Sequence, residues 1–108
     1  MANKTTRFLF EVLSGYELRV IVTKDVAATG RRLGEDLKNA AGAFVYKDDK
    51  PGTGWLILPP NAAPGLIAHE SYHATIALLK YHGATKDEEQ VAHWLEHIVD
   101  RVHKFLRS

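Results

Sequence analysis

Leu18, Val20 and Val22 alternate with Glu17, Arg19, Ile21 and Thr23, and this period of two predicts a strand with one well-buried face. The strand extends over Tyr16–Lys24. It is preceded by a second β-rich stretch, Phe8–Leu13, across Ser14-Gly15, which reads as a hairpin turn. Asp25–Ala41 then predicts a helix that Gly30 and Gly34 weaken, with Leu33 and Leu37 as its core contacts. Ala43–Tyr46 and Trp55–Leu58 predict a second strand pair around the polar turn Lys47–Gly52, and Pro59-Pro60 ends the latter strand because proline cannot donate to a ladder.

From Pro64 to Tyr81 the chain reads PGLIAHESYHATIALLKY, apolar on nearly every side, which predicts a buried helix. Gly83 supplies a left-handed cap after His82, and Thr85-Lys86-Asp87-Glu88 forms a capping box that opens a last helix. That helix carries Val91, Leu95, Ile98, Val102 and Leu106 as a regular apolar stripe. The expected fold is α+β: two β-hairpins forming a small, mainly antiparallel sheet, one intervening helix and a C-terminal helix pair. A chain of 108 residues holds one such domain, spanning 1–108.

Composition narrows the function. A formal net charge of +1 gives no electrostatic case for nucleic acid or a membrane surface. The doublet Arg31-Arg32 reads as a solvated helix face. The last helix would enter a DNA groove with acidic Asp87, Glu88 and Glu89, which argues against a helix-turn-helix reader. No apolar stretch is long enough for a signal peptide or a spanning helix, so a cytoplasmic protein is expected. Cysteine is absent, so disulfides and thiolate zinc sites are excluded and any metal must be held by nitrogen and oxygen.

The chemistry sits in the apolar helix. His69-Glu70-Ser71-Tyr72-His73 is an HExxH motif, and helical spacing places both imidazoles on one face with Glu70 beside them. Two nitrogen ligands, a position left for water and a carboxylate to take its proton are what a zinc hydrolase needs. In a buried helix these groups would otherwise be left unpaired, at about 1 to 3 kcal/mol each, so a metal is the economical partner. The metzincin continuation is excluded, because Ile76 and Leu79 stand where Gly and His are required.

Beyond the motif, Glu89-Gln90-Val91-Ala92 supplies an ExxA segment on the following helix. From about residue 41 to 100 the chain resembles the small HExxH proteins encoded by bacteriophages and mobile elements, the minimal gluzincin-like (zincin-like) metallopeptidases. The likeness is carried by TGWLILPP, LIAHESYHA and DEEQVAHWLEHI. The resemblance implies zinc on His69, His73 and Glu89, Glu70 as catalytic base, a peptide or protein substrate, and a host-cytoplasmic setting for a phage-encoded member. His93 stands where such proteins often carry Tyr.

The third ligand stays open between two carboxylates. The helical wheel turns Glu88 towards the apolar stripe and Glu89 away from it, yet Glu88 already has a role in the capping box and Ala92 leaves room beside Glu89. Glu89 is therefore preferred and Glu88 retained. His93 and His97 read as half-exposed residues on a polar face, with an orienting role beside a zinc ligand as the alternative for both. His82 suits a helix end, and His103 lies near the last turn. Trp55 is expected either in a substrate groove or in the core. A catalytically inactive, metal-stabilised protein-binding module is the competing reading of the same site.

Overall fold

In a computed structural model of the chain, the described residues are 4–9 (backbone), 15–83 and 87–107. Four strands, β1 (Lys4–Leu9), β2 (Glu17–Val22), β3 (Ala43–Tyr46) and β4 (Thr53–Leu58), form one sheet in the order β1-β2-β4-β3. Three helices, α1 (Val26–Arg32), α2 (Pro64–Tyr81) and α3 (Glu88–Arg107), complete an α+β fold.

The sheet is mixed rather than mainly antiparallel. β1 pairs antiparallel with β2 and β3 with β4, but the two pairs meet through parallel β2 and β4. A central strand is covered on both faces, and β4 shows it: Trp55, Leu56, Ile57 and Leu58 are all buried. Leu56 and Leu58 join Leu18 and Val20 under α2 and α3, while Trp55 and Ile57 meet Val26, Ala43 and Val45 on the opposite face. Trp55 is thus a core residue, with the Arg19 guanidinium 5.9 Å from its ring centre. It lines no groove. β2 keeps the alternation expected of it, with Leu18, Val20 and Val22 inward.

The register of the first pair departs from the sequence reading. Phe8 faces Leu18 across the ladder, whereas a two-residue turn at Ser14-Gly15 would have set it opposite Ile21. Gly15 does adopt a positive φ of 91°, while Ser14 lies outside the described residues. The expected strand Phe8–Leu13 overlaps β1 only at Phe8 and Leu9, its remaining residues also lying outside.

α1 is far shorter than the expected Asp25–Ala41. Asp25 caps its start by accepting from the Ala28 amide at 2.9 Å. At its end the Gly34 amide donates to Arg31 O and the Glu35 amide to Gly30 O, a paired closure that requires Gly34 at φ 81°. Leu33 and Leu37, now in the cap and the following loop, still pack on the Trp55 side of the core. Arg31 and Arg32 are exposed at the helix end.

α2 has the bounds its sequence predicts. Pro64 fits the first turn, where its missing N–H goes unused, and Gly83 at φ 73° closes the end. It is buried on one side only. Ile67, Ser71, Ala74, Thr75, Leu78 and Leu79 face the sheet and α3, whereas Ala68, His69, Tyr72, His73 and Lys80 are exposed. The apolar residues on its outer side are small, half-buried or, at Tyr72 and Tyr81, exposed aromatics, which is why the sequence reads as apolar all round. Each fully buried leucine on this interface contributes about 1.5 to 3 kcal/mol relative to exposure.

α3 packs on α2 through Trp94, Ile98 and Val102, with Val91, Phe105 and Leu106 partly covered. Trp94 takes the buried place expected of Leu95, and its indole N–H donates to Gln90 Oε1 at 3.0 Å. The cap also differs from the expected box. Asp87 accepts from the Glu89 and Gln90 amides at 3.0 and 3.2 Å, and Thr85 lies outside the described residues. Glu88 is therefore the first helical residue rather than the third.

Two stability outcomes follow. Asp87→Ala should cost about 1 kcal/mol in urea denaturation, the usual value of an N-cap, while Glu88→Gln should change stability by no more than a few tenths. Equal losses from the two would contradict the cap. Among the described residues the Ser71 hydroxyl is buried without a hydrogen-bond partner. Ser71→Ala should then stabilise the fold by about 1 kcal/mol, and a loss of stability would show that the hydroxyl is used.

Candidate metal centre

His69, Glu70 and His73 gather on α2 as their spacing requires. One ligand atom from each lies within 4.8 Å of the other two, close enough to share one ion. The imidazole centroids are 5.0 Å apart in an edge arrangement, and Glu70 Oε2 stands 3.9 Å from His69 Nε2. Two imidazoles and a carboxylate, with no thiolate, form a donor set that suits zinc and its first-row neighbours.

Burial is divided sharply within this group. The His69 side chain is 67% exposed and that of Glu70 only 11%. The expectation that buried imidazoles demand a metal therefore fails for the histidines, which water can solvate. It carries over to Glu70, whose carboxylate is held against the protein at the inner edge of the group.

Glu70 and His73 open onto a groove of about 860 Å³ between α2 and edge strand β3. Glu70, His73, Ala77 and Lys80 follow one another at helical spacing along its α2 wall. Phe44 and Tyr46 from β3 form the other wall, continued by Lys47, Asp48 and Pro51 of the turn after it. Lys47 is engaged by Glu35 at 3.5 Å. Tyr81, packed on Tyr16 at 5.7 Å between centroids, bounds the far end, and burial pushes the Tyr16 phenol above its ordinary pKa. Phe44 reaches this position because Gly54 in β4 has no side chain: a Cβ there would meet the Phe44 ring and the Tyr16 hydroxyl at 2.6 Å.

Among the described residues neither Glu88 nor Glu89 joins the metal group. Both are exposed in the first turn of α3. α3 folds back along α2, so its first turn lies beside the end of α2, whereas His73 lies about 12 Å earlier on that helix. The carboxylate that does approach the imidazoles is Glu70. His93 and His97 lie elsewhere, each nearly perpendicular to the Trp94 ring with centroids 5.1 and 5.5 Å away. His97 titrates below its ordinary range, first through burial and then through the nearby Arg101 and His93 charges.

Of the two places expected for Trp55 the structure takes the core, and the aromatic wall of the groove comes from residues that the sequence reading did not single out. The signal was present in Phe44 and Tyr46, which alternate with Ala43 and Val45 on a short strand that ends in charged residues, as edge strands often do. Comparisons with protein-family models, with curated proteins and with solved structures return no match to this chain.

The geometry makes a direct statement about metal affinity. His69→Ala and His73→Ala should each abolish zinc retention in equilibrium dialysis at micromolar free metal, and Glu89→Gln should leave it unchanged. A tenfold loss with Glu89→Gln would mean that the first turn of α3 closes on the site when metal binds.

Proposed function

We propose that the protein is a zinc-dependent peptide hydrolase of gluzincin-like type, with His69 and His73 as metal ligands and Glu70 as general base. The observation that carries this reading is the convergence of His69, Glu70 and His73 at the mouth of a groove whose opposite wall is the edge strand β3. Zinc bound there supplies Lewis acidity for a scissile carbonyl and for the attacking water. Glu70 takes the proton of that water and returns it to the leaving amine. Its shielded position keeps the carboxylate beside the imidazoles instead of dispersed in solvent.

β3 positions the substrate. Among the described residues no strand lies beside its outer edge, and an extended peptide can continue the sheet there with its backbone amides and carbonyls. A peptide so held runs beside α2, past Glu70 and His73. The zincin-like architecture belongs to this same proposal: a mixed sheet, an edge strand and a motif helix above it.

A second reading has its own observation. The Glu70 carboxylate lies close enough to both imidazoles to be a third ligand itself, which would leave no base and make the site a metal-stabilised binding module. Glu70→Gln separates the two. In the hydrolase, zinc stays bound while cleavage of a peptide library falls by about 10² to 10⁴-fold, the range of general acid-base catalysis. In the module, zinc affinity drops with the carboxylate and no wild-type cleavage is seen to lose. Wild type and variant that both retain zinc and cleave equally would refute the role given to Glu70.

A further inference from the structure

The groove beyond the metal group carries a charge that the hydrolytic reading does not use. Lys80 lies two helical turns after His73 on the same wall, about 10 Å along α2. Its side chain is exposed, and no carboxylate of the described residues pairs with it. Ala77 lies between His73 and Lys80 and leaves space at the wall for an incoming side chain. The other lysine of the groove, Lys47, is engaged by Glu35, and Asp48 stands on the opposite, strand-side wall.

An extended chain advances about 3.3 Å per residue, so about three residues separate a group held at the metal from one that reaches Lys80. A peptide paired with β3 passes along α2 first the metal group, then Ala77, then Lys80; the metal holds a backbone group, so the side chain three residues on is free to be one of the alternate ones that face α2. We propose that the groove selects peptides with an acidic side chain, or a terminal carboxylate, about three residues from the group bound at the metal, and that Lys80 reads this charge. The inference rests on the metal-site reading for its starting point. It does not require that the peptide be cleaved.

The test uses short peptide hydroxamates, whose metal-chelating end fixes the register, with one Glu placed at the second, third, fourth or fifth residue and Gln as its neutral control. Binding to the zinc-loaded wild-type protein is measured by competition against a fluorescent hydroxamate. Glu at the third residue should bind about three- to fivefold tighter than Gln, the size of an exposed charge pair, and the advantage should shrink with added salt. Lys80→Gln should erase the preference and Lys80→Glu should transfer it to a Lys-bearing peptide, while Lys104→Glu on α3 leaves it unchanged. A peptide ending in a carboxylate at the same distance should share the Glu advantage. Tight binding with a flat charge profile, or a preference that survives Lys80→Glu, overturns the selection and leaves the metal site standing. Binding of no hydroxamate overturns both. An intact Glu profile without cleavage of the matching peptide supports the selection and counts against the hydrolase alone.

Discussion

The rotation of α2 about its own axis is the constraint on which the site depends. Ile67, Ser71, Ala74 and Leu78 recur at i, i+4, i+7 and i+11 and are all buried against the sheet and α3. Close packing fixes that stripe to within a small angle, because a turn of one residue would bring Tyr72 or Lys80 into the core. Once the stripe is fixed, Glu70 and His73 can only lie towards β3 and His69 can only lie outward. The site inherits its geometry from hydrophobic contacts made on the other side of the same helix.

This origin explains the uneven burial of the three metal-group residues. A helix seated on a sheet has an inner side, an outer side and two flanks, and HExxH covers a flank and the outer side together. The inner-edge carboxylate of Glu70 is shielded by neighbouring structure, while the imidazole of His69 reaches solvent. Such a division would suit the proposed hydrolytic site, which has to exchange water and admit a substrate, since the proposed ligands stand on a rigid element and would need little ordering to receive an ion. A structural site would more often be closed on all sides.

Much of the fold was legible from the chain because its punctuation is strong. Pro64 and Gly83 mark both ends of α2, and Ala43–Tyr46 has the bounds its alternation predicts. What escaped was set by longer-range relations. Gly34 was visible as a weak point in the expected long helix, but only its closing hydrogen bonds make it a terminus. The parallel contact of β2 and β4 joins residues far apart in sequence, and its one local sign was the unbroken apolar run Trp55–Leu58. In α3 the wheel centred on Leu95 was displaced by the larger Trp94, whose indole finds a partner in Gln90. The pairing of the two histidines and Glu70 needed only helical periodicity and could be read directly. A third ligand on another helix depends on where two helices come to rest against each other, which no spacing rule states.

The shortness of β3 also shapes what its groove can do. In the proposed site the wall that a peptide would meet is β3, a strand of four residues. So short an edge offers few backbone hydrogen bonds, each contributing about 0.5 to 1.5 kcal/mol net, and these are offset by the cost of ordering the peptide. Backbone pairing alone therefore cannot hold a peptide tightly or choose among sequences. For the proposed peptide, affinity would have to come from a metal at one end, from apolar contact with Phe44 and Tyr46, and from the few charged groups along the wall. Specificity in the proposed site would then fall to single side chains placed at fixed distances from the metal group on one rigid helix, where a displacement of one residue shifts the contact by about 1.5 Å along the axis and 100° around it.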